Sequence, residues 1–118
     1  MNLEKIDDTN FEEFLKSPVA FLMIGKEDCP ACAKWTDELV PYLETLLLPP
    51  GIRFGKLSLN GGGVTNFKRT HAGWLKDVME LPYNTLWFRG EKVKDWAGNN
   101  VERLTNRLNP LVDAAKEG

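Results

Sequence analysis

Six apolar residues stand in succession at Val19-Ala20-Phe21-Leu22-Met23-Ile24, with Ser17-Pro18 before them and Gly25 after. A run this short between breakers is the pattern of a strand buried on both faces, because a strand with one wet face alternates apolar and polar residues. Such a strand needs covering layers on both sides, which points to an α/β architecture. It also delivers the chain to Cys29-Pro30-Ala31-Cys32, the only two cysteines present.

The rest of the chain supplies the layers. Thr9 or Asn10 is placed to cap a short helix from Phe11 to about Lys16, which Ser17-Pro18 ends. A helix is expected from Pro30 to about Leu47, kinked by Pro41 and stopped by Pro49-Pro50-Gly51. Ile52 to Leu59 alternates and reads as a strand. Asn60-Gly61-Gly62-Gly63 is a joint, and Val64 to about Met79 reads as a second long helix with Gly73 as its weak point. Tyr83 to Phe88 and Lys92 to Trp96 form a hairpin turned at Arg89-Gly90-Glu91. Gly98-Asn99-Asn100 leads into a last helix from Val101, where Val101, Leu104, Leu108, Leu111 and Val112 share a face and Pro110 is expected to break the end. The order is α, β, α, β, α, β, β, α.

At 118 residues the chain reads as one domain, 1–118, large enough to fold without a staple. A net charge of −2 argues against nucleic acid and anionic membranes as partners, since both call for a basic patch. The polar, acidic start Met1-Asn2-Leu3-Glu4-Lys5-Ile6-Asp7-Asp8 has no apolar signal core, so a cytoplasmic location is expected. In a reducing compartment a lone cysteine pair is catalytic or metal-binding rather than structural. Zinc asks for four ligands, and the single other nitrogen or sulfur donor, His71, falls in a different helix, where it reads as a surface residue. Gly61-Gly62-Gly63 lacks the Gly-Lys-Ser/Thr ending of a phosphate loop. Trp87 and Trp96 read as core residues. Trp35 and Trp74 read as packing residues first, with a substrate groove as the alternative.

The chemistry follows from where the cysteines fall. Pro30 suits the first helical position and leaves Cys29 at the cap. There the unpaired N–H groups and the positive end of the helix favour thiolate over thiol. Cys29 is then the nucleophile toward a disulfide, and Cys32, almost one turn further in, resolves the mixed disulfide. Lys26 supports the Cys29 thiolate, whereas Glu27 and Asp28 oppose it, which makes Asp28 a candidate modulator.

Together these features resemble the thioredoxin-like family over nearly the whole chain. The resemblance is carried by the apolar strand running into CxxC at a helix start, by Lys56 on the next strand, by Pro82 opening the one after, and by the spacing of Gly90 and Gly98. It implies a thioredoxin-like fold with a central mixed sheet of about four strands and helices on both faces. It further implies a cis peptide bond at Pro82, and a substrate groove made by Pro30, Ala31, Leu81 and Pro82 in which extended substrate pairs with exposed backbone. Lys56 becomes a site modulator. The expected activity is thiol–disulfide oxidoreduction on protein disulfides by a monomer without a bound cofactor, with electrons from a reductase or a small thiol.

The sequence also departs from the family. Asp28 replaces the tryptophan that commonly precedes the first cysteine, and Pro30-Ala31 replaces Gly-Pro, with a proline placement more similar to glutaredoxins. Met23 stands where thioredoxins bury an aspartate, so Cys32 lacks its usual proton acceptor and Lys56 its usual partner; water, Glu27 or Asp28 is the expected substitute. Pro41 comes about one turn later than the family's helix proline, and the segment between Asn60 and Pro82 is longer. Two other functions therefore stand beside the first: a non-catalytic adaptor or redox sensor, and a glutathione-linked enzyme.

Overall fold

In the computed structural model, which describes residues 1–117, all seven residues of strand Val19–Gly25 are buried. Its side chains divide by parity. Val19, Phe21 and Met23 enter one core, with Cys32, Trp35, Leu39 and Leu43 on one side and Leu104, Leu108 and Val112 beside them. Ala20, Leu22 and Ile24 enter the other, with Phe11, Phe14, Leu15 and Phe67. A continuous apolar strand thus serves two layers, and each fully buried aliphatic or aromatic side chain contributes about 1.5–3 kcal/mol.

The elements in chain order are β1 (Leu3–Lys5), α1 (Phe11–Leu15), β2 (Val19–Gly25), α2 (Pro30–Glu44), β3 (Ile52–Ser58), α3 (Thr65–Thr70), α4 (Ala72–Leu75), β4 (Tyr83–Phe88), β5 (Glu91–Ala97) and α5 (Val101–Glu117). The sheet has five strands in the order β1-β3-β2-β4-β5. β1 and β2 run parallel to β3, and β4 runs antiparallel to both β2 and β5. Helices α2 and α5 cover one face; α1, α3 and α4 cover the other.

Several expectations need correction. The sheet has a fifth strand, β1, which pairs Leu3, Glu4 and Lys5 with Phe54, Gly55 and Lys56. Gly55 admits the chain that follows: a methyl group there would lie 2.5 Å from Ile6 Cγ1 and 2.8 Å from Phe14 Cζ. Arg53 fixes β1 and α1 together, donating to both carboxylate oxygens of Glu4 and, at 2.6 Å, to Glu13. Asn10 occupies the cap position of α1 but does not cap it; its side chain instead accepts from Asp7 N and donates to Lys5 O. Helix α2 stops at Glu44, short of Leu47.

The expected long helix from Val64 to Met79 is two short ones broken at His71, not at Gly73. His71 is half-buried rather than exposed on a helix surface. Its ring lies among Phe11, Phe67, Trp74 and Trp87, and its Nδ1 accepts from Trp74 Nε1 at 3.1 Å. Closing this aromatic cluster turns the chain between α3 and α4. Burial, with Lys92 nearby, lowers the His71 pKa. Pro110 does not end α5, which runs to Glu117. Pro110 and Asn106, four residues earlier, are both exposed, so the carbonyl left unpaired by the proline can face water.

Candidate active site

Cys29 is the N-cap of α2, with extended backbone, and Pro30 takes the first helical position. Its Sγ accepts a hydrogen bond from Cys32 N at 3.2 Å, and its carbonyl accepts from Ala33 N at 3.1 Å. The sequence arranges this directly, because proline needs no N–H partner at the first position and its fixed φ starts the helix. Cys29 is half-buried and Cys32 fully buried; Pro30 and Ala31 are exposed between them. The two sulfurs form a disulfide with Cα atoms 5.2 Å apart.

Close packing sets the floor. Gly25 ends β2, and a methyl group at that position would lie 3.1 Å from Cys32 Sγ and 3.2 Å from Cys32 Cβ. Met23, fully buried, belongs to the same cluster as Cys32 and sits opposite Lys56 on β3 and Asn84 on β4. Trp35 is fully buried and donates from Nε1 to Asn84 Oδ1 at 2.8 Å, while Asn84 Nδ2 donates to the carbonyls of Trp96 and Gly98. Trp35 is therefore a packing residue that anchors α2 to the sheet, and Trp74 packs in the cluster around His71 on the opposite face.

The Leu81–Pro82 peptide bond is cis. Ile24 pairs with Tyr83, so the antiparallel register brings Pro82 beside Gly25, the residue against Cys32. Pro82 is buried, its carbonyl accepting from Gly98 N at 3.0 Å, and Leu81 is half-buried. Cys29, Pro30, Ala31, Cys32, Leu81 and Pro82 thus converge at one end of the sheet.

Lys56 lies on a different flank, and no carboxylate bonds it among the described residues. Its Nζ donates to Thr36 Oγ1 at 3.0 Å, and that hydroxyl donates to Cys32 O at 3.0 Å and lies 3.9 Å from Met23 Sδ. Lys56, Thr36 and Glu27 share an open cleft of about 370 Å³ with Ser58 and Val40. Asp28 is exposed and tied down, its carboxylate accepting from Asn60 Nδ2 at 3.1 Å while Asn60 Oδ1 accepts from Glu27 N at 2.8 Å.

Sequence reasoning missed Thr36, Gly25, Asn60 and Asn84. Thr36 carried a usable signal: four residues after Cys32 on one helix, it shares that residue's face. Gly25, Asn60 and Asn84 gave none, because their roles depend on contacts between distant segments.

No family model matches the chain, and no curated protein matches it in sequence. Solved structures do match. Thioredoxin f from spinach chloroplast, short form, superposes with a TM-score of 0.73 at 13% identity, covering 93% of each chain. Thioredoxin f2 of Chlamydomonas reinhardtii gives a TM-score of 0.69 at 20% identity over 92% of this chain and 95% of that one. Thioredoxin O2 of Arabidopsis thaliana, oxidised, gives 0.70 at 16% identity over 94% and 95%. This likeness, with the sheet order and the α2 junction, establishes that the chain has the thioredoxin fold.

Proposed function

We propose that this chain is a single-domain thiol–disulfide oxidoreductase acting on protein disulfides. One observation carries the reading: the only two cysteines sit at the mouth of α2, one half-exposed and one sealed beneath it. In the reduced protein the Cys29 thiolate attacks a substrate disulfide and releases one substrate thiolate. Cys32, deprotonated, then attacks the Cys29 sulfur and expels the second. Two electrons pass to the substrate, and Cys29–Cys32 becomes the disulfide, which a reductase or small thiol reduces with two electrons.

Helix-end N–H groups and the helix dipole support the Cys29 thiolate. Pro30, Ala31, Leu81 and Pro82 form the wall against which extended substrate lies. Lys56, bonded to Thr36, stands without the carboxylate partner that Met23 removes; water, Glu27 or Asp28 takes the Cys32 proton in its place. A cytoplasmic location goes with this reading, on the acidic, polar start of the sequence. No helix among the described residues is long and apolar enough to cross a membrane.

Insulin disulfide reduction followed by turbidity, with dithiothreitol as electron donor, tests the reading. Turnover above the dithiothreitol background supports it. The second reading, an adaptor or redox sensor, is favoured by Met23 under Cys32. It predicts no turnover, and the absence of turnover would overturn the oxidoreductase. Cys32→Ser should accumulate mixed disulfides through Cys29, and an empty trap counts against both substrate and mechanism. The glutathione-linked alternative rests on Pro30 following Cys29 and predicts preference for glutathione mixed disulfides.

A further inference from the structure

Beside Leu81 lies a groove of about 470 Å³, with Leu75 and Met79 among its lining and Lys26, Lys68 and Lys76 around it. Met79 is 88% exposed. No aspartate or glutamate lines this groove, although the chain as a whole carries a net charge of −2. The neighbouring acids are held elsewhere: Glu27 lines the Lys56 cleft and Asp28 is bonded to Asn60. Asp77 and Glu80, on the same stretch as Met79, are exposed and outside the lining. The groove also adjoins the disulfide end of the sheet, since Lys26 follows Gly25 and Leu81 precedes Pro82.

We propose that this groove docks an extended, acidic and apolar segment of a protein partner next to its disulfide. The inference rests on the oxidoreductase reading above and names its substrate class. Half-buried Leu75 and Leu81 and the projecting Met79 offer apolar contacts for alternate side chains of an extended peptide. The three lysines set positive charge along the edges, where it selects acidic residues and speeds encounter more than it tightens a generic contact. The longer segment between Asn60 and Pro82 supplies most of this surface, which gives that departure from the family pattern a purpose.

The test is fluorescence anisotropy on the full-length oxidised protein. The probes are cysteine-free peptides of one apolar framework bearing Asp and Glu, Asn and Gln, or Lys. Acidic peptide is expected to bind about tenfold more tightly than its amide counterpart, with the margin shrinking as salt rises. The exposed double variant Lys68→Glu, Lys76→Glu should reverse the order and prefer the Lys peptide, a result that a generally weakened fold would not give. Equal affinity for all three peptides, or an acidic preference surviving the reversal, overturns the proposal. So does displacement of the acidic peptide by glutathione, which would reassign the groove to a small thiol. Anisotropy needs no turnover: acidic binding without insulin reduction keeps the docking site and discards the enzyme, and insulin reduction without acidic binding does the opposite.

Discussion

Gly25→Ala tests whether the floor beneath Cys32 is as tight as its geometry implies. The added methyl would lie 3.1 Å from Cys32 Sγ, 3.2 Å from Cys32 Cβ and 3.5 Å from Met23 Cε. The first two distances fall inside the roughly 3.5–4.0 Å at which nonbonded heavy atoms sit comfortably. Cys32 cannot retreat freely, because it is fully buried in a cluster with Trp35 and Leu39. Overpacking a filled core costs about 1–3 kcal/mol, while replacing glycine by alanine returns about 0.4–1 kcal/mol through the unfolded chain. The expected net loss is therefore about 1–2 kcal/mol. For a chain of this size each kcal/mol lowers Tm by about 3–6 °C. Urea titration of the oxidised variant measures the loss, and the rate of reduction by dithiothreitol reports the displaced sulfur. Gly62→Ala is the control: nothing lies within 4 Å of a methyl there, and it should stay within about 0.5 kcal/mol of wild type. Equal stability and equal reduction rates for Gly25→Ala and wild type would refute the packing argument.

Other substitutions probe the remaining links. Met23→Asp buries a carboxyl beside Cys32 within reach of the Thr36 hydroxyl; it should cost about 2–4 kcal/mol at neutral pH, with a smaller loss in acid, where the group is neutral. If its insulin reduction is no faster than wild type, the missing carboxylate does not limit exchange. Asn84→Leu removes the acceptor of Trp35 Nε1 and the donor to two carbonyls, so a loss of about 2–4 kcal/mol is expected in urea. The lowered His71 pKa carries a sign: the unfolded imidazole holds its proton more readily, so stability is complete above the ordinary value of 6.5 and declines as pH falls through it. His71→Gln should flatten denaturation midpoints between neutral pH and the onset of carboxylate titration, and an unchanged slope would contradict the assignment.

Features whose determinants lie close together along the chain are legible from the sequence alone. The unbroken apolar β2, the hairpin through Gly90 and the Cys29 cap followed by Pro30 each declare themselves within a few residues. Leu3–Lys5 did not, because a three-residue strand exists only through its pairing with Phe54–Lys56. The single helix expected over 64–79 divides in two for a related reason: helical propensity there yields to an aromatic cluster drawn from α1 and β4 as well as α3 and α4. At the site, the cysteines and Pro82 were visible as types and spacings. The Lys56–Thr36 link and the Gly25 contact required knowing which strands lie side by side.

The sheet borders carry a consequence for how another chain could join it. One border is β1, only three residues long, and the other is β5, whose Glu91, Lys94 and Asp95 are exposed beyond an irregularity at Leu86/Trp87. Short, charged or irregular margins discourage strand-to-strand recruitment and the fibrous assembly that follows from it. A visiting polypeptide is thereby turned away from both rims of the sheet, which leaves its faces and ends as the places where another chain can be met.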